Sequence, residues 1–283
     1  VGLQDQMLGR VVAMEQRELE IQRQQLVVED AENQRQLKEI EDKILFLLKN
    51  AEGNILDDEV LIDTLGDSKK TSDIIQEKVI QKLLSQLKIH PQNILDLGCG
   101  SGGLIKSINW KYKRFLGVDF AEGMLDLHPK SDSVSCIYGN FNDKKLFESL
   151  HTYDFEHVFS ASALQWAENL EDVFTSIESL KTSISLAIFT SGTFATLHAT
   201  ADIKSLLLDA TTIEELANKY FNAYIEVVQY RLEFDSVREM FRYIKKSGVS
   251  AGRNVLNYKQ TKSLMKQYPL KYLEFEVVFI TSR

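Results

Sequence analysis

Apolar positions follow two different rules along the 283 residues. Between Met7 and Lys49 they recur every seven residues, at Val12, Leu19, Leu26, Ile40 and Leu47, with Asn33 taking one step of the series. Leu37 and Ile44 add a second apolar row near the end of this stretch, and Glu, Gln, Lys and Arg fill the rest, without proline. That pattern predicts a long helix with a coiled-coil-like seam, able to pair with another helix, in which Asn33 is a polar register residue. Gly53 ends it, residues 57–65 read as one more short helix, and Thr71 or Ser72 is placed to cap a helix over 73–87.

From residue 75 the pattern changes to short apolar runs alternating with amphipathic stretches. Strands are expected at 94–97, 114–118, 135–138, 155–160 and 183–190, with helices at 104–108, 124–127, 144–150 and 171–180. A helical region over 201–220, a strand over 225–234, a basic helix over 236–246 and a terminal strand over 273–280 follow. Strand–helix alternation predicts an α/β fold, a parallel sheet with helices on both faces. The chain therefore divides into a helical segment, 1–74, and an α/β domain, 75–283.

The first strand runs into Asp96 and then into Gly98, Gly100 and Gly102, separated by small residues. Glycines at this spacing let the backbone take positive φ and approach a ligand closely at a strand-to-helix turn. No P-loop Gly-Lys-Ser/Thr follows, which argues against a nucleoside triphosphate. A carboxylate just ahead of the first glycine suits a cationic ligand group better than a phosphate. Asp119 closes the next strand, 23 residues after Asp96, where an acid can accept both hydroxyls of a ribose. The third strand leads to Asn140, whose amide can both accept and donate towards a purine; Asp143 is the alternative.

Composition narrows the class. The chain is 44% hydrophobic and 26% charged, as in soluble globular proteins, and its apolar runs are too short to span a bilayer. No export signal is evident, so a cytoplasmic protein is expected. Cys99 and Cys136 have neither Cys-x-x-Cys spacing nor a histidine cluster beside them in sequence, so reduced thiols are expected and no metal. The net charge of −8 lies entirely in residues 1–78, with 18 acids against 10 bases, which leaves 23 of each in the remainder. Within that balanced part, residues 237–272 hold nine bases and one acid, Glu239. Such a run is either a solvated helix face or a docking surface for an acidic partner; nothing points to nucleic acid or membrane.

Two resemblances follow from particular residues. LQDQMLGRVVAMEQRELEIQRQQL and QLKEIEDKILFLLKNAEGNILDDEVLIDTL resemble the segment of dynein heavy chains that braces the microtubule-binding stalk, over about residues 1–75. Without AAA modules or a microtubule-binding tip, this stretch is not a motor. ILDLGCGSG, GVDFAEGML and FSASALQW resemble class I S-adenosylmethionine-dependent methyltransferases, with a Rossmann-like sheet. ALQWAEN, FTSGTF and FDSVREMFRYIKKSGVSAGR narrow the likeness to the malonyl-[acyl-carrier protein] O-methyltransferase family of biotin synthesis.

The methyltransferase resemblance implies S-adenosylmethionine as cofactor, its methionine end held by Asp96, Gly98, Cys99, Gly100 and Gly102 and its ribose by Asp119. Phe120, Met124, Asn140 and Phe141 would surround the adenosine, and Ser160 to Gln165 would line the methyl-donor face. Trp166 would shape the acyl pocket and Arg253 would meet the malonyl carboxylate, with an acidic acyl carrier protein on the basic 237–272 region. The family's N-terminal lid carries a Tyr-Asp pair seven residues before a glutamine; Gln76 matches the glutamine, but Lys69 stands at the tyrosine position. Two other readings stay open: a methyltransferase of another small carboxylate or hydroxyl, and a non-catalytic fusion whose dynein-like helix is an interaction element.

Overall fold

The chain enters its sheet on an inner strand whose residues are almost all buried. In the computed structural model, which describes residues 74–246 and 258–283, helix α1 (Ile74–Ser85) leads into strand β1 (Asn93–Leu97). The expected heptad helix, the short helix over 57–65, the boundary after residue 74 as seen from its N-terminal side, Lys69 and Arg253 lie outside the described residues. Next come α2 (Gly103–Ser107), β2 (Arg114–Asp119), α3 (Glu122–Leu127), β3 (Val134–Tyr138), α4 (Lys144–Leu150) and β4 (His157–Ala161). A 3₁₀ turn (Leu164–Trp166) and α5 (Leu170–Ser179) precede β5 (Ser183–Phe189), followed by α6 (Ala195–Ala201), α7 (Ala210–Tyr220) and β6 (Ala223–Glu233). Helices α8 (Val237–Lys246) and α9 (Tyr258–Gln267) lead to β7 (Tyr272–Ser282).

The seven strands are ordered β3-β2-β1-β4-β5-β7-β6. β1 to β5 are mutually parallel, whereas β7 runs antiparallel to both β5 and β6. The sheet is thus mixed, not wholly parallel as the alternation of elements suggested. After β1 the chain builds outwards to β2 and β3, then returns across β1 to β4 and β5. The reversal creates a switch point between β1 and β4, where open α/β sheets place their ligand crevice at the carboxyl ends of the strands.

Both faces of the sheet are covered, which is why its inner strands β1, β2, β4 and β5 are mostly apolar and buried. Successive residues go to opposite sides: Leu95, Leu116, Val158 and Leu186 join a core with α4, α5 and α7. Their neighbours Ile94, Phe115 and Phe159 pack with Ile80 of α1 and with Leu104 and Ile105 of α2. Phe159 is fully buried, so Phe159→Ala would cost about 3–5 kcal/mol. Helix α5 shows how local signals set an element. Asn169 Oδ1 accepts from the backbone N–H of Glu171 and Asp172 at 3.0 and 3.4 Å, two acids occupy the first turn, and Leu170, Val173, Phe174 and Ile177 form its buried stripe.

The expected helix over 201–220 is two helices. Asp202, with φ of 53°, ends α6 in a left-handed conformation, and Asp209 caps α7 by accepting from Thr212 N–H at 2.9 Å. Helix α9 was not expected; its sequence is mostly polar, and Leu264 and, just after the helix, Tyr268 are buried. Helix α8 matches the basic helix of the sequence, burying Met240, Tyr243 and Ile244 while Arg238 and Arg242 stay exposed. Among the described residues no helix is long and apolar enough to cross a membrane.

Candidate active site

At the switch point β1 ends in a turn that only glycine builds without strain. Gly98, Gly100 and Gly102 have φ of 74°, 51° and 86°, in the left-handed region that side chains disfavour. The turn is pinned to β2 by the N–H groups of Gly98 and Cys99, which both donate to Val118 O at 2.8 and 3.1 Å. At Gly98 a methyl group would lie 2.1 Å from Ala163 Cβ, so the loop after β4 closes down on this glycine. Above Gly100 the space is open: nothing lies within 4 Å of where a Cβ would be.

Asp119, at the end of β2, braces the same turn. One carboxylate oxygen accepts from Gly100 N–H at 2.8 Å and the other from Ala121 N–H at 2.9 Å. Each oxygen keeps a second acceptor site for a ligand hydroxyl. Asp96 is 2% exposed and its Oδ1 has no hydrogen-bond partner. Burial, and then the nearby Asp119 carboxylate, push its pKa from 3.8 up to about 8. Two further buried polar atoms lack partners after β4, Ser162 Oγ and Gln165 Oε1, and Ser162 is itself held at a φ of 68°. Gln165 Nε2 donates to Ser162 O at 2.7 Å, which fixes the amide. Buried polar groups are normally paired, so three orphan acceptors around an open glycine turn describe a site shaped for a ligand bearing donors and positive charge.

The other residues singled out in the sequence divide into two sets. Phe120, Met124 and Trp166 are exposed at 58, 48 and 44%, free to cover a ligand; core packing of Trp166 is ruled out by that exposure. Asn140 is exposed, and its Oδ1 accepts from Asn142 N–H at 3.0 Å. Asp143, the alternative to Asn140, is occupied as the N-cap of α4, accepting from Lys145 N–H. Three side chains depart from expectation. Phe141 is buried in the core with Leu95 and Leu146 rather than lying against a ligand. Ser160 is fully buried and its hydroxyl donates to Leu97 O at 2.7 Å, tying β4 to β1. Cys99 is buried with its thiol against Gly117, and its N–H and C=O are bonded to Val118 O and Gly102 N–H. Ser162 lies within the stretch from Ser160 to Gln165 expected on the methyl-donor face, but no local motif announces its positive φ or its orphan hydroxyl.

A doubly wound sheet with a glycine turn and strand-end acids at its switch point defines a Rossmann-like domain for an adenosine-type cofactor. Residues 94–181 match the family described as methyltransferase domain. In fold the chain is similar to the YcgJ protein from Bacillus subtilis, with a TM-score of 0.50 at 10% identity, covering 73% of this chain and 99% of that one. A protein from an antibiotic biosynthesis pathway of Anabaena variabilis gives a TM-score of 0.52 at 12% identity, covering 75% of this chain and 99% of that one. Residues 1–75 match a second family, the ATP-binding dynein motor region. Over 85 residues the chain is 54% identical to human dynein axonemal heavy chain 3, and over 78 residues 53% identical to human dynein axonemal heavy chain 6. These matches take in 30% and 28% of this chain but only 2% of the length of either dynein.

Proposed function

We propose that the domain transfers a methyl group from S-adenosylmethionine to the free carboxylate of a malonyl thioester carried on an acidic acyl carrier protein. The observation that carries the cofactor half is the set of orphan buried acceptors, Asp96 Oδ1, Ser162 Oγ and Gln165 Oε1, at the mouth of a glycine turn with open space above it. In this reading Asp96 holds the cofactor's ammonium, Asp119 its ribose, and Phe120 and Met124 cover the adenosine. S-adenosylmethionine supplies an electrophilic methyl on a sulfonium, which the acceptor oxygen displaces in line as the C–S bond breaks and sulfur keeps the electron pair. A malonyl carboxylate is ionised near neutral pH, so no side chain has to remove a proton. The protein's contribution is alignment and exclusion of water, with Gln165 and Trp166 on the acceptor side.

The carrier-protein half rests on the family resemblance and on charge. Arg238, Arg242, Lys266 and Lys271 are all exposed, and Glu239 is the one acid among the bases of residues 237–272. Such a surface favours an acidic partner through steering. The test is methyl transfer by the full chain from methyl-labelled S-adenosylmethionine, with malonyl-carrier protein, malonyl-coenzyme A and free short-chain carboxylic acids as acceptors. An alkali-labile methyl ester formed fastest on the carrier-bound malonyl group is expected. Labelling of free acids alone would replace this acceptor by a small carboxylate, and no labelling of any acceptor would overturn the reading. A second proposal concerns residues 1–74: their similarity to dynein supports an interaction element that pairs with another helix.

A further inference from the structure

Beside the glycine turn, three metal-ligating side chains converge from separate parts of the chain. Cys99 follows β1, Cys136 lies on β3, and His128 follows α3. Their ligand atoms all lie within 4.8 Å of one another. The 29 residues from Cys99 to His128 and the eight from there to Cys136 make no familiar ligand spacing; the sheet alone brings them together. Gly117 makes the room. It sits on β2 opposite Cys136, and a Cβ there would lie 2.7 Å from Cys99 Sγ and 3.3 Å from His128 Nε2. Any side chain at this position would fill the space into which the three groups point.

We propose that Cys99, His128 and Cys136 form a binding site for one thiophilic divalent cation of the Zn²⁺ type. His128 is held in the state a ligand needs. Its Nδ1 lies 2.8 Å from Pro129 O, and a carbonyl can only accept, so the proton is on Nδ1 and the lone pair on Nε2. A backbone carbonyl that fixes the tautomer in this way is the usual support of a metal-bound histidine. Nε2 is buried and has no partner, in a residue only 3% exposed. Zn–S and Zn–N bonds of about 2.3 and 2.0 Å put tetrahedral ligand atoms about 3.5–3.8 Å apart, so the cluster closes on a cation by an adjustment on the order of 1 Å.

Charge selects the ion. Two thiolates and a neutral imidazole around a divalent cation give a neutral complex, suited to burial. A monovalent soft ion would leave a net negative charge beside Asp96 and Asp119, both of which act on the Cys99 thiol. Cys136 is only half-buried, which leaves a side open to water for a fourth ligand, as three-ligand zinc sites have. Binding converts two thiols to thiolates and releases two protons to solvent. A bound ion would tie the glycine turn to β3 and to the loop after α3, bracing that turn.

The test uses the reduced, metal-stripped full chain titrated with Co²⁺. These two cysteines are the only ones in the sequence, so a thiolate-to-cobalt charge-transfer band reports this site and no other. One equivalent of Co²⁺, two protons released per ion in weak buffer, and loss of the band on adding Zn²⁺ are expected. Cys136→Ser should lose the band. His128→Asn should weaken Zn²⁺ binding by more than about 100-fold, since loss of a partner that merely orients a ligand already costs about 10–100-fold. Should a variant fail to fold, as judged by circular dichroism, the wild type still decides: Zn²⁺ should slow alkylation of Cys136. No charge-transfer band, alkylation unaffected by Zn²⁺, or full affinity in folded His128→Asn would overturn the proposal.

Discussion

Replacing Asp96 with Asn should make the ligand-free protein more stable and the cofactor weaker, and the two effects separate a binding charge from a structural one. The carboxyl group is buried, and its pKa rises from 3.8 to about 8 through burial first and the Asp119 carboxylate second. The folded state therefore holds a proton that the unfolded chain releases. Stability from this group is fully present below 3.8 and is lost as pH rises through about 8. At about 1.4 kcal/mol per pKa unit, a gap of this size is worth at most about 6 kcal/mol. Relaxation and water entry around an ionised group reduce this to roughly 2–4 kcal/mol. Asn has nearly the shape of Asp and does not titrate, so the stability gain of Asp96→Asn should grow from near zero at about pH 4 to its full size above about pH 8. Urea unfolding followed by tryptophan fluorescence measures this directly, because both tryptophans, Trp110 and Trp166, lie in the α/β domain. Calorimetry on the same variant should show S-adenosylmethionine binding weakened by about 1.5–3 kcal/mol, the scale of a lost hydrogen bond to a charged group. Parallel stability profiles for the two proteins, or undiminished affinity in the variant, would refute the assignment of Asp96 as the cation's partner.

Gly98→Ala combines positive φ with a methyl group 2.1 Å from Ala163 Cβ; it should lower stability by about 2–4 kcal/mol, read from the urea midpoint, and abolish cofactor binding. His157 is buried, its ring 2.9 Å from Ser185 Oγ, and burial lowers its pKa to about 4. Its contribution to stability is therefore present above the ordinary value of 6.5 and lost as pH falls towards about 4. Asp96 acts with opposite sign over this range, so the loss is cleanest in Asp96→Asn, where adding His157→Gln should flatten the acid side of the urea profile; an unchanged slope would exclude His157 as its cause. Reversing Arg238 and Arg242 to Glu should lower kcat/KM for malonyl-carrier protein by about tenfold at low salt and much less at high salt. Turnover of malonyl-coenzyme A should be nearly unaffected, and equal losses on both acceptors would exclude a docking role.

Strand order and turn were readable to different depths. Strands β1, β2 and β5 announce themselves because both faces of the sheet are covered, so their inner residues are mostly apolar, with Asp96 in β1 and Ser185 in β5 the interruptions. The glycine turn was readable because only one residue type tolerates three left-handed positions within five residues. Asp209 carried a cap signal that would have split the expected long helix, had Asp202 been recognised as its stop. Helix α9 gave too little, because its sequence is mostly polar and holds few apolar positions to set a period. Side-chain direction was the harder matter. Phe141 lies three residues past β3, where no pleat fixes its face, and it turns into the core. Ser160 is at a strand end, where an inward hydroxyl finds Leu97 O across the sheet. The convergence of Cys99, His128 and Cys136 depends on a glycine in a neighbouring strand, a relation that exists only after β1, β2 and β3 have paired.

The most direct test of the account is the binding of S-adenosylmethionine to the full chain by isothermal calorimetry, with the wild type and Asp119→Ala compared. Asp119 accepts from the Gly100 N–H, and in the proposed reading it also meets the ribose, so removing its carboxylate would take away both a ligand contact and a brace of the turn. One cofactor per chain is expected in the wild type, with affinity reduced by at least about 1–3 kcal/mol in the variant and circular dichroism unchanged. No binding to the folded wild type, or equal affinity in the two proteins, would contradict it.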